Sequence, residues 1–267
     1  MDINTEIKRL ESLYLEKPER VFSMYLNTDP TDPDQQGREW RIHLKNALQR
    51  FEKYLEEDDD KAELDNFCKV KEKVKSFFAE NELNLQKSVI IFATPDQSIW
   101  LAEILQVPVM TELYWEEIAK VDQLIDLSQS YPKSGIILTQ KEAIKIIETE
   151  LGNHLDSTYY QLDLDTEDWK RHTGSHYAQS TISSSGTSVK REQFNKRFEA
   201  NRQRWYKSIA SKLDKLAKDN DWQSIYMVGN QDETRDLAQT MTKPIDHFID
   251  KNMLDKKDAE VIRRITE

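Results

Sequence analysis

The residues best able to do chemistry crowd into one stretch of the second half of the chain. It reads Arg171-His172-Thr173-Gly174-Ser175-His176-Tyr177-Ala178-Gln179-Ser180-Thr181-Ile182-Ser183-Ser184-Ser185-Gly186-Thr187-Ser188. His172 and His176 are four apart, which on a helix would put both rings on one face and suit a metal. The Gly and Ser between them disfavour a helix, and no acidic or cysteine ligand adjoins them, so no metal is expected. A serine beside a histidine can be drawn as a nucleophile pair, but no third group is placed to orient the base. Just upstream, Asp163 and Asp165 stand two apart. On a strand both carboxylates would share a face and could hold Mg²⁺, or they are simply solvated acids at a strand end. The stretch is too poor in apolar residues to order itself by burial, and a loop of this length is usually functional or disordered.

The segment after the loop has the opposite character. From about Val189 to Lys218, Phe194, Phe198, Trp205, Ile209, Leu213 and Leu216 recur at spacings of three, four or seven, the stripe of a long amphipathic helix. The same span holds ten basic residues against three acidic ones, a local surplus of +7 inside a chain of net charge -11. Clustered beside a polar loop, Lys190, Arg191, Lys196, Arg197, Arg202 and Arg204 are the residues expected to meet RNA phosphates. The overall negative charge argues against indiscriminate nucleic-acid binding, and DNA is not an expected partner.

The elements that must carry this loop and helix alternate through 267 residues, a length suited to two domains. Helical periodicity is read near residues 2–16, 40–55 and 62–79. Short apolar runs at Val21–Leu26, Ser88–Ala93, Ile99–Leu105 and Val107–Tyr114 read as strands. A mixed segment from Glu116 to Ser130 holds a helix and a linker. The alternation then restarts, with strands at Gly135–Thr139, Ala143–Glu148 and Tyr159–Leu164 before the loop. After the long helix come a strand at Ser224–Gly229, a helix near 232–241, a strand at Pro244–Ile249 and a C-terminal helix. The expected fold class is α/β, with two domains of mixed sheet and packed helices, residues 1–120 and 121–267. Mean hydropathy is -0.78, no apolar run reaches membrane-spanning length, and the first residues lack a signal-peptide pattern. A cytoplasmic protein is expected. The single cysteine, Cys68, is read as a buried helix position, since a lone thiol makes neither a disulfide nor a Cys-rich metal site.

The order strand, strand pair, Gly-bearing loop, long basic helix, then Ile225-Tyr226-Met227-Val228-Gly229 and a helix resembles the middle domain of the archaeo-eukaryotic class I release factors. In that family the loop carries Gly-Gly-Gln, followed by Ser, a small residue and a basic residue. Here the sequence is Ser185-Gly186-Thr187-Ser188-Val189-Lys190-Arg191. Gly186, Ser188 and Arg191 match; Ser185 replaces the first Gly and Thr187 replaces Gln. In the register of the Vms-type branch, Val189 would stand in the Gln position. The nearest glutamines are Gln179 and Gln193. The first half is similar to the bacterial branch of the superfamily, through Phe22-Ser23-Met24-Tyr25-Leu26-Asn27-Thr28-Asp29-Pro30 and through Val89–Ala93 followed by Trp100-Leu101. The chain ends where a third, factor-recruiting domain would begin.

The resemblance implies a ribosome-associated protein of termination, rescue or quality control, with the large subunit and peptidyl-tRNA as partners and no cofactor. It makes Gly186, Thr187, Ser188 and Gln179 the candidate catalytic residues. In the family the glutamine helps place water against the peptidyl-tRNA ester, a task of positioning and oxyanion stabilisation. Thr187 keeps a backbone N–H but not the reach of Gln. A weak hydrolase and a catalytically silent binder both fit these residues. Two other classes remain open from the residues alone: a metal-dependent RNA-processing α/β enzyme using Asp163 and Asp165, and a non-enzymatic protein-interaction module.

Overall fold

The computed structural model describes residues 3–35, 37–58, 60–163, 166–172 and 188–266, with only the backbone described for 188–195. The chain divides into two compact units, Met1–Ser130 and Tyr131–Glu267, each with its own sheet.

In the first unit the elements are α1 (Ile3–Glu11), β1 (Val21–Asn27), α2 (Trp40–Glu57), α3 (Lys61–Asn81), β2 (Ser88–Ala93), β3 (Trp100–Leu105), β4 (Glu112–Glu116) and α4 (Asp122–Ser130). The strand order is β3-β2-β1-β4, antiparallel throughout. β1 and β2 are buried on both faces, which is why they read as unbroken apolar runs. One face, with Phe22, Met24 and Leu26, packs on Trp40, Leu48, Phe67 and Val74 of α2 and α3. On the other face the Tyr25 hydroxyl donates to Lys120 O (2.8 Å) and accepts from Leu124 N (3.2 Å). That pair of bonds, with the packing of α4 on α1, places α4 in the first unit. The division therefore falls between Ser130 and Tyr131, after α4 rather than before it. β4 begins at Glu112 instead of Val107: Val107 and Val109 are buried from an irregular segment pinned by Ser88 Oγ to Val107 O (2.6 Å).

In the second unit the elements are β5 (Ser134–Gln140), β6 (Ala143–Glu150), β7 (Asn153–Asp163), β8 (Asp168–His172), α5 (Ser188–Asp219), β9 (Ser224–Gly229), α6 (Gln231–Thr240), β10 (His247–Ile249) and α7 (Asp258–Thr266). The sheet order is β10-β9-β5-β6-β7-β8. β9 runs parallel to β5 and β10, and the rest is antiparallel, so this sheet is mixed. α5 and α6 cover one face through Phe198, Trp205, Tyr206, Ile209, Leu213 and Leu237. α7 covers the other, with Val261 and Ile262 on Ile136, Leu138 and Ile147. Trp222, just after α5, lies flat against Gly135, where an added Cβ would stand 2.2 Å from the ring. Both units are thus α/β, as expected. Among the described residues no helix is long and apolar enough to cross a membrane.

Candidate nucleic-acid interface

The site is built from the end of β8 and the start of α5, which flank residues 173–187 in the sequence. β7 and β8 form a hairpin whose turn carries Glu167 at φ 53, and β8 ends at His172, the last described residue before Ser188. The chain returns at Ser188, the first residue of α5. The sequence places the loop's start at Arg171, but Arg171 and His172 still pair with Tyr160 and Tyr159 in the sheet. Arg171 Nη2 donates to Thr158 Oγ1 at 3.2 Å, and the His172 ring lies 6.2 Å from that of Tyr159. Gly186, Thr187 and Gln179 lie outside the described residues, as does His176, and so does Asp165. Asp163 is ion-paired with Lys170 across the hairpin. Among the described residues no group of three or more His, Cys, Asp and Glu side chains is arranged to hold a metal.

α5 is held by its apolar stripe. Phe198, Trp205, Ile209 and Leu213 are buried and Leu216 is partly so, while the side chain of Phe194 lies outside the described part. The helix is also locked to β8 by the Trp169 indole, whose Nε1 donates to Trp205 O at 3.0 Å. Lys212 adds contacts to Asp168 (3.4 Å) and Trp169 O (3.2 Å). Tyr206 is wholly buried, and burial pushes its hydroxyl pKa far up, so it is a neutral core group.

The basic residues singled out from the sequence divide into distinct sets. Lys190 and Arg191 stand on the first turn of α5, and Lys196 is exposed. Arg197 and Arg204 both reach the Glu167 carboxylate, Arg197 Nη2 at 2.8 Å. Their hydrogen bonds hold that carboxyl below the usual carboxylate range. Arg202 instead pairs with Asp236 of α6 at 2.6 Å and with Glu199 at 3.1 Å, fastening α5 to α6. Glu167 and Asp236 lie 30 or more residues from their partners in sequence, so no local spacing could have announced them. Lys207, Lys215 and Lys218 are different: they are exposed and have no ion-pair partner among the described residues. With Ser211 they follow the helix at intervals of three and four, one outward row of cations.

A second concave feature lies in the first unit. A groove of about 470 Å³ opens between α2 and α3, floored by Trp40, Leu44, Leu48 and Phe78. Its two carboxylates are already engaged, Glu52 by Lys71 at 2.5 Å and Glu82 by Arg38 and Arg41. Beside it on α3, Cys68 is half-buried, and burial raises its thiol pKa. No nucleophile or acid–base pair is left over there.

One known protein matches this chain along nearly its whole length. A protein from Bacillus subtilis (strain 168), "Uncharacterized protein YocB", is 36% identical over 267 residues, covering 99% of this chain and 98% of that one. Among solved structures, an archaeal translation termination factor, aRF1, overlaps 98% of this chain and 72% of its own, with a TM-score of 0.34 and 11% identity. A further archaeal protein overlaps to the same extents at a TM-score of 0.29 and 11% identity. The family profile described as bacterial archaeo-eukaryotic release factor family 5 matches residues 132–267, the unit that contains the hairpin, the loop and α5. The chain belongs to the bacterial branch of the archaeo-eukaryotic release factors, family 5.

Proposed function

We propose that this protein works on ribosomes in the cytoplasm, in termination, rescue or quality control, docking on the large subunit by α5 and presenting the loop 171–188 toward peptidyl-tRNA. The observation that carries the proposal is the exposed row Lys207, Lys215 and Lys218 on the helix that follows the loop, in a member of a release-factor family. A protein of net charge -11 that lines exposed cations along one helix face is suited to a specific polyanion rather than to any polyanion. Lys190, Arg191 and Lys196 continue the basic run toward the loop and are proposed as further phosphate contacts.

In this reading glycine at 186 matters because a residue without Cβ enters tight backbone geometry freely, and Thr187 keeps a backbone N–H that can serve as an oxyanion donor. Ser188 opens α5, and Gln179 is the alternative glutamine if the loop enters in another register. Hydrolysis is expected to be slow, because Thr187 and Val189 fill both positions where the family's glutamine would stand. The test is cosedimentation with purified large ribosomal subunits. Three phosphate contacts predict a loss of affinity of roughly tenfold or more between about 50 and 200 mM salt. Association that is absent at low salt, or insensitive to salt, contradicts the proposal.

A further inference from the structure

We infer that Arg197 and Arg204 form a two-arginine anion site whose resting occupant is Glu167, and that an RNA phosphodiester takes the place of that carboxylate on binding. The inference rests on the RNA-docking reading of α5. Two guanidinium groups, seven residues apart on the helix, converge on one carboxylate carried by the tip of the β7–β8 hairpin. A carboxylate and a phosphodiester present the same paired anionic oxygens to a guanidinium fork. All three side chains are reached by solvent: Arg197 is 48% exposed, Arg204 61% and Glu167 33%. Exposed pairs of this kind hold weakly and are screened by salt, so a polyanion can displace the carboxylate.

The neighbouring pair shows the contrast. Arg202 and Asp236 are each 24% exposed and join two packed helices, so that pair belongs to the scaffold. Glu167 by comparison sits on a turn with left-handed φ, joined to α5 by these ion pairs. Lys207 follows Arg204 by three residues and is exposed beside it, so a strand seated on the fork meets the free cation row. Glu167 therefore acts as an internal competitor. It keeps this arginine pair of α5 covered until a phosphate in the right place replaces it.

The experiment compares Glu167→Gln with the parent for binding to purified large ribosomal subunits at several salt concentrations, with thermal melting recorded for both. The inference predicts affinity about three- to tenfold higher for Glu167→Gln at low salt, with a steeper fall as salt rises. Adding Arg197→Gln and Arg204→Gln to that variant should cancel the gain. Unchanged or weaker binding by Glu167→Gln, with a lowered melting temperature, would make Glu167 an anchor of the hairpin and overturn the inference. In that case loss of binding on reversing Lys207, Lys215 and Lys218 would still uphold the docking reading. If no variant and no parent protein binds, both fall together.

Discussion

At the scale of single residues, the most exacting position in the first unit is Glu63. It is fully buried, yet it is met by Arg20 at 3.0 Å, Lys17 at 3.2 Å and the Trp115 Nε1 at 3.0 Å. Lys17 and Arg20 are 43% and 21% exposed, so they stay solvated when Glu63 is removed; the loss falls mainly on the buried Trp115 N–H left unpaired, at a cost of about 1–3 kcal/mol. Glu63→Ala should therefore destabilise the first unit by that much in urea unfolding, and a change under about 1 kcal/mol would contradict the network. Asp258 plays a comparable part in the second unit. It opens α7 and accepts from Ser157 Oγ at 2.5 Å, with Lys145 and His154 also on the carboxylate. Burial pushes its pKa up, but the hydrogen bonds from His154, Lys145 and Ser157 outweigh it and hold the carboxyl well below the usual range. A depressed folded-state pKa gives stability that is present above the unfolded value near 4 and is lost as pH falls toward the folded value. Asp258→Asn should cost about 1.5–3 kcal/mol at neutral pH. The gap between variant and parent should narrow below about pH 4; a gap independent of pH would refute this account. The loop's chemistry belongs to the same scale. Supplying the missing oxyanion partner by Thr187→Gln should raise peptide release in a ribosome assay by up to about 10²–10³-fold, and more fully when combined with Ser185→Gly. Fast release by the parent that Gln179→Ala abolishes would instead mark Gln179 as the catalytic residue.

At the scale of elements, the long helix, the buried strands and the α2–α3 pair were legible because periodicity and continuous apolar runs report burial directly. β8 was not. Of Asp168-Trp169-Lys170-Arg171-His172 only Trp169 is buried, so a sheet-edge strand reads as a polar loop. The first half of β7, Asn153 to Ser157, is likewise largely exposed, and the strand shows itself only from Tyr159 onward. Val107 and Val109 misled in the other direction, since burial from an irregular segment imitates a strand. The basic face of α5 could be seen as composition, but which of its cations are engaged could not, because Glu167 and Asp236 reach it only through the fold. Gly135 is an element-scale constraint of the same kind. The β5 backbone approaches Trp222 so closely that a methyl group has no room. Gly135→Ala should cost about 1–3 kcal/mol by forcing the ring aside, read as a lower melting temperature. An unchanged melting temperature would mean that the Trp222 seat is not a fixed contact.

At the scale of the whole molecule, charge and fold are arranged in opposition: an acidic chain, with a row of exposed cations on the helix beside the loop. If that row is what engages the ribosome, it is the position of the charge that matters and not its amount. The most direct measurement sets Lys207→Glu, Lys215→Glu and Lys218→Glu together against a control with the same change in net charge, Lys8→Glu, Lys45→Glu and Lys61→Glu, all exposed positions of the first unit. Both proteins are tested for cosedimentation with large ribosomal subunits at low salt. The account predicts that the α5 variant loses binding by at least about tenfold, with its melting temperature preserved, while the control binds like the parent. Equal binding by the two variants, or equal loss, would contradict it.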